Sequence, residues 1–212
     1  MKKETLQKRT KIANDIMYYI YTHIETNIDI EDLSIDLGIS KFHMHRIFKE
    51  AFGKNIYESI KSIRLQKASN LLLTNKYSTI SNIVNLCGYS SQSSFIKIFK
   101  DRFEMTPKEW KNGGYKEYSK KILLQSQRAS QSKANFEDMV PTIVKMPAIE
   151  SYYIRNKGYN VNIKETWQKL QTWILTNDIT SYKRIALFHD NPTITPLNDC
   201  QYIGCVVVDD KK

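Results

Sequence analysis

Arg46 and Lys49 recur as Lys97 and Lys100 in two matching segments of the chain. The first segment reads Arg46-Ile47-Phe48-Lys49-Glu50-Ala51-Phe52. The second, Lys97-Ile98-Phe99-Lys100-Asp101-Arg102-Phe103, follows 51 residues later. Read as helices, both carry an apolar face: Met44, Ile47, Phe48 and Phe52 in one, Phe95, Ile98, Phe99 and Phe103 in the other. The opposite face holds Lys41, Phe42, His45, Arg46 and Lys49 in the first copy. In the second it holds Gln92, Ser93, Ile96, Lys97 and Lys100. Guanidinium, ammonium and amide donors on one helical face suit phosphate oxygens and base edges, and this is the chemistry a helix needs to enter the DNA major groove. Taken singly, Arg46 or Lys97 reads as a solvated surface charge. A basic residue at the same place in both copies shifts the reading toward function.

Other chemistries find little support. Acid–base catalysis needs placed carboxylates or a histidine beside a nucleophile. The C-terminal part offers Glu150, Glu165, His189 and Asp190, and nothing pairs them; an enzyme is not expected. His43 and His45 are two apart and do not share a helical face, and no cysteine or carboxylate completes a metal site. Only 7 glycines are present, with no GxGxxG and no GxxxxGK[ST], so a Rossmann enzyme and a P-loop NTPase are excluded and no cofactor is expected. Three cysteines, Cys87, Cys200 and Cys205, have no metal-ligand spacing and read as reduced thiols of a cytosolic protein. Cys87 reads as a small buried apolar residue rather than a redox switch. No apolar run reaches the roughly 18 residues of a membrane span. The charged start, Met1-Lys2-Lys3-Glu4-Thr5, leads into no apolar stretch of a secretory signal.

Charge supports the polyanion reading. Lys and Arg total 32 against 22 acids, a net charge of +10. Residues 1–121 hold 21 basic and 13 acidic residues, and residues 122–212 hold 11 and 9, so the excess sits in the N-terminal part. A generally Lys- and Asn-rich composition is the plainer explanation of the same number.

The 212 residues, 41% of them hydrophobic, allow one large or two small cores, and the pattern divides in two. Residues 8–112 read as an all-α domain. Leu33-Ser34-Ile35-Asp36-Leu37-Gly38-Ile39-Ser40 parallels Ile83-Val84-Asn85-Leu86-Cys87-Gly88-Tyr89-Ser90 at an offset of 50. The offset then becomes 51, which places one extra residue at the start of the second copy's final helix. Each copy has the layout of a helix-turn-helix. A short helix starts after Asp29 in one copy and after Ser78 or Thr79 in the other. Gly38 and Gly88 end it in the left-handed conformation. Ser40 and Ser90 (or Ser91) cap a second helix. Ile56–Leu73 reads as one long helix holding the two units apart. Residues 113–139 read as a polar, basic linker with a helical start at Tyr118–Leu124. Residues 140–212 read as a small α+β module of strand-helix-strand-strand order. Its strands are expected at Ile143-Val144 and Ser151–Ile154, at Arg184–His189 and at Gln201–Val208, with a helix over Val161–Thr176.

With these residues in view, Ile28–Trp110 resembles the AraC/XylS-type domain of two helix-turn-helix units joined by a long helix. The most specific stretches are Ile83–Tyr89, Ser94–Lys100 and Phe103–Trp110. Cys87 stands where small residues are usual, Glu104 where Gly is common, and Trp110 where Tyr or Phe is common. The resemblance implies a sequence-specific transcription regulator whose two second helices, about 40–52 and 91–103, enter successive major-groove faces of one site. It implies duplex DNA and RNA polymerase as partners. Carried over by motif position, Phe42, His45, Arg46, Gln92, Ser93 and Lys97 would contact bases, with Arg46 on guanine or phosphate and Gln92 on an adenine edge. Ser40, Lys41, Lys49, Ser91 and Lys100 would hold phosphates.

Pro141–Asp210 is similar to the first half of a GyrI-like effector-binding domain. The similarity rests on Tyr153-Ile154-Arg155 before Gly158, Trp167 through Leu170 to Trp173, His189-Asp190-Asn191-Pro192, Thr195-Pro196, and Cys200 through Asp210. It implies a small-molecule effector. The family carries Gly-Pro-Tyr where Gly158-Tyr159-Asn160 stands, and it duplicates this module. Three readings follow: the sequence is truncated, two chains pair through the module, or the half has lost ligand binding. A half-sheet would expose a strand edge, expected at Val206–Val208. Tyr153, Trp167, Trp173 and Tyr202 are candidates for an aromatic ligand wall, although Trp167, Leu170, Trp173 and Ile174 also have the spacing of a helix packed on a sheet. Asp190-Asn191-Pro192 reads as a turn. Two other functional classes stay open: a small-molecule-binding protein with a vestigial DNA-binding part, and a DNA binder without sequence preference.

Overall fold

The computed structural model describes residues 3–75, 77–125 and 148–208. The chain forms two compact units, Met1–Tyr115 and Lys116–Lys212. The strand expected at Ile143-Val144 and the later part of the expected linker lie outside the described residues.

The N-terminal unit is helical. Helix α1 (Lys3–Thr22) leads to α2 (Ile30–Asp36) and α3 (Lys41–Phe52). Helix α4 (Ile56–Thr74) is followed by α5 (Ile80–Leu86), α6 (Gln92–Phe103) and a short α7 (Pro107–Glu109). From α2 to α7, each start is set by a side chain accepting an otherwise orphaned backbone N–H. Asp29 accepts from Glu31 and Asp32, Ser40 from His43, Thr79 from Asn82, and Ser91 from Ser94. Asn55 and Glu58 form a reciprocal capping box on α4. The open choices of cap therefore resolve to Thr79 and Ser91. The extra residue of the second copy is Ser90, which lies in the turn before the cap rather than in the helix.

Ile16, Ile20 and Ile24 of the α1 region pack with Leu33, Met44, Phe48, Ile56 and Ile60 into one core. In the second copy the rings of Phe95, Phe99 and Phe103 run down one face of α6 at 5.5 and 4.5 Å between successive centroids. Trp110 closes the stack edge-on to Phe99 at 5.7 Å and at 4.7 Å from Phe103. The apolar positions of the two expected faces are thus buried or half-buried in both copies.

Gly53 ends α3 at φ +70°, and its counterpart Glu104 ends α6 at φ +60°. An L-residue with a Cβ is strained there, and glycine is not. Replacing the exposed Glu104 with glycine is therefore expected to stabilise the unit by about 0.5–1 kcal/mol, read as a rise in thermal midpoint of the full chain.

In the C-terminal unit, α8 (Tyr115–Gln125) begins earlier than expected, in the stretch read as linker. Its Tyr118 hydroxyl donates to the Ile194 carbonyl at 3.4 Å, and Ser119 donates to that of Thr193 at 3.2 Å. Strand β1 (Tyr152–Lys157), helix α9 (Ile163–Thr176), β2 (Tyr182–Phe188) and β3 (Gln201–Val208) follow. The sheet order is β1-β3-β2, with both pairings antiparallel. This corrects the expected edge. Val206–Val208 belongs to the central strand: Val206 is fully buried and paired on both sides, while Val207 and Val208, beyond the end of β1, pair with β2 alone. The outer strands are β1 and β2. Leu170 and Ile174 of α9 pack on Val206, with Ile154, Trp167, Trp173, Tyr182 and Val208 around them.

Candidate nucleic-acid interface

Helices α3 and α6 have equal length, and both begin at a serine cap with no carboxylate in the first turn. A helix start free of carboxylates keeps its exposed N–H groups and positive dipole end available to an anion. Both helices bury one face and leave the opposite face to solvent. On α3, Lys41, Phe42, Arg46 and Lys49 are exposed, Phe42 at 79%. On α6, Gln92, Ser93, Lys97 and Lys100 are exposed. An aromatic residue so exposed on a helix otherwise lined with donors has apolar surface to offer a sugar or a thymine methyl.

Several expected contacts are held by neighbours. The Arg46 guanidinium is within 2.9 Å of His43 Nδ1, one turn back on the same face. This contact holds the direction of the guanidinium fork. The spacing of His43 and His45 gives no sign of this contact, which runs from His43 to Arg46 at i, i+3. His45 is half-buried, its ring 5.7 Å from that of the exposed Tyr57 at the start of α4. Tyr57 is a second residue the sequence did not single out. Lys41 pairs with Glu31 of α2 at 3.0 Å. This exposed pair contributes little to stability and can exchange for a phosphate. Ser40 uses its oxygen to accept from His43 N, leaving its hydroxyl hydrogen for an anion. Ser91 accepts from Ser94 N and shares a hydrogen bond with Ser93 at 2.8 Å, so the two hydroxyls act together.

Beneath the second unit, Cys87 is fully buried, and burial pushes its thiol up to about 11. A thiol so seldom ionised is a poor nucleophile, in keeping with a packing role. All three cysteines are buried thiols outside any disulfide. Among the described residues no group of His, Cys, Asp and Glu is placed to hold a metal, and no helix is long and apolar enough to cross a membrane.

The proposed aromatic wall of the C-terminal unit is not assembled. Trp167 donates from Nε1 to the Tyr202 hydroxyl at 2.7 Å, and Trp173 lies 4.4 Å from Tyr152. These contacts lie between α9 and the sheet, where they bind the helix to it. Tyr153 neighbours Tyr152 on β1 and so points to the other face, where the Arg155 guanidinium lies 5.1 Å from its ring. The four residues therefore straddle the sheet. Asp190 accepts from Gln201 N at 2.7 Å, a tie between the turn and β3.

Two family models match the chain. The model of a helix-turn-helix domain matches residues 33–113, and that of a GyrI-like small molecule binding domain matches residues 139–212. The xylose operon regulatory protein of Escherichia coli (strain K12) is 34% identical over 96 residues, 45% of this chain and 24% of that protein. The chain thus spans about a quarter of that relative's length. The Probable transcription factor PqrA of Proteus vulgaris is 34% identical over 105 residues, 49% of this chain and 85% of that protein. Among solved structures, the C-terminal domain of AraT, a response regulator from Geobacillus stearothermophilus, is 25% identical with a TM-score of 0.45. It covers 48% of this chain and 84% of that one. With a relative 34% identical along 85% of its own length, a helix-turn-helix model over residues 33–113 and a second model over residues 139–212, the chain belongs to the AraC family of helix-turn-helix regulators and carries a GyrI-like module.

Proposed function

We propose that the chain is a sequence-specific, DNA-binding transcription regulator that acts in the cytoplasm and inserts α3 and α6 into successive major-groove faces of one site. The observation that carries this reading is the doubled geometry. Two helices of equal length start at a serine with no carboxylate in the first turn, bury one face in an aromatic and aliphatic core, and expose donors on the other. Phe42, His45, Arg46, Gln92, Ser93 and Lys97 are assigned to bases. Ser40, Lys41, Lys49, Ser91 and Lys100 are assigned to phosphates. RNA polymerase is the protein partner this reading implies. Sensing of a small molecule is assigned to the C-terminal module on its GyrI-like match, without the four-residue aromatic wall. Self-association through that module has a place to occur, since β1 and β2 each pair on one side only among the described strands. No catalytic role is assigned.

The test is selection of bound duplexes from a random pool by the full chain at near-physiological salt. The expected result is an enriched motif of two blocks about one helical turn apart. Binding without enrichment would instead favour a binder lacking sequence preference. Lys49→Ala serves as the control for backbone contacts. It is expected to weaken all duplexes alike and to reduce the slope of log K against log[salt] by about 1, read by titration at several salt concentrations.

A further inference from the structure

Arg64 lies midway along α4 and reaches both helix-turn-helix units at once. Its Nε donates to the Ile24 carbonyl at 3.1 Å and its Nη2 to the Thr26 carbonyl at 2.6 Å. Both acceptors belong to the turn between α1 and α2. On the other side the guanidinium lies 5.9 Å from the centre of the Tyr89 ring, in the turn between α5 and α6. Tyr89 in turn lies 5.1 Å from Phe95 of α6.

The two turns meet directly at the same place. A Cβ on Gly88 would come within 2.5 Å of the Ile24 carbonyl oxygen and 2.9 Å of Arg64 Nη2. Glycine is required there both for its φ of +70° and for this approach. One turn further along α4, Lys67 pairs with Glu25 of the same α1–α2 turn. Helix α1 holds α3 through Ile16, Ile20, Met44 and Phe48. Each recognition helix is thus referenced to one junction, α3 through α1 and α6 through Tyr89.

We infer that Arg64 is a positioning residue that fixes the relative placement of α3 and α6, and through it the spacing between the two sequence blocks the protein accepts. The inference rests on the DNA-binding reading. Arg64 itself touches no base or phosphate in this scheme. Its planar fork engages two carbonyls of one turn while lying against a ring of another, which the single ammonium of lysine cannot reproduce.

The test compares the full-length wild type with Arg64→Lys, and with Glu25→Gln as a milder change at the exposed edge of the junction. Binding is measured to duplexes carrying the two selected blocks at the preferred spacing, at spacings shortened or lengthened by one and two base pairs, and to a duplex with one block alone. Wild type is expected to prefer its own spacing. Arg64→Lys is expected to lose about tenfold on that duplex, to lose little on the single block, and to show a flattened spacing profile. Glu25→Gln should shift the profile less, in the same direction. In parallel, spin labels at Ala51→Cys and Asp101→Cys report the distance between the recognition helices without DNA. Its distribution should broaden in Arg64→Lys.

A folded Arg64→Lys protein with the wild-type spacing profile and an unchanged label distance overturns the inference. A wild type that selects no spacing overturns the DNA-binding reading and this use of the junction with it. A broadened label distance in that case would still place Arg64 as the tie between the two units.

Discussion

Trp110→Ala is expected to destabilise the N-terminal unit by about 3–5 kcal/mol. The indole is fully buried and stands against Phe99, Phe103 and Tyr115, the last at 6.3 Å. Its Nε1 donates to the Ser69 carbonyl of α4 at 3.1 Å, in a buried setting. Truncation removes the ring contacts, opens a cavity and leaves a buried carbonyl one donor short. A domain of this size is stable by about 5–15 kcal/mol, so the loss is a large part of the whole. It should appear as a fall in thermal midpoint on the order of 15–25 °C. Trp110→Phe separates the two contributions. It keeps an aromatic ring and forfeits the hydrogen bond, at about 1 kcal/mol. Equal losses for alanine and phenylalanine would mean that the hydrogen bond, not the ring stack, carries the stabilisation.

Arg46→Ala is the second large effect, in affinity rather than folding. The side chain is exposed and its loss leaves no cavity, so the thermal midpoint should hardly move. On the selected duplex, loss of a bidentate base contact is expected to cost about 1–3 kcal/mol and to relax preference at one position of the first block. If Arg46 holds only phosphate, all duplexes weaken together and the motif stays sharp. An Arg46→Ala protein with unchanged affinity and motif would mean that α3 is not a base-reading helix. His43→Ala should act in the same direction and less, because it releases the guanidinium without removing it.

Much of the N-terminal unit was legible because local signals agree with the packing. Asp29, Ser40 and the Gly38–Gly88 pair mark helix ends by chemistry that acts within a turn, and the Phe spacing marks the faces. Read along each helix, these signals also placed the exposed residues assigned to DNA. The partners that hold those residues were not legible. The contact of Arg46 with His43 lies along a helix and was within reach of an i, i+3 search, but that of His45 with Tyr57 depends on how α4 enters beside α3. Arg64 gives no local signal at all, because its partners are backbone carbonyls some forty residues away.

In the C-terminal unit β3 was located residue for residue, and its neighbours less closely. Its place at the centre of the sheet was missed, since strand order is a property of distant pairing. The aromatic wall failed on parity. Tyr152 and Tyr153 sit on opposite faces of β1, and the member of the pair that meets Trp173 is Tyr152.

The sheet order also sets a sequence of events during synthesis. Strands β1 and β2 do not bond to each other; Tyr152 pairs with Val206 and Tyr182 with Val208, both on β3. The α1–α3 packing and the Phe95–Phe103 stack close over shorter stretches of chain, which favours rapid folding, whereas β1 must wait for a strand about fifty residues downstream. On a ribosome, the helical unit can form while the module is still two unbonded strands and a helix with its apolar side uncovered. Those strands are then open to chaperones and to neighbouring nascent chains, and the interval ends when Gln201–Val208 emerges and threads between them.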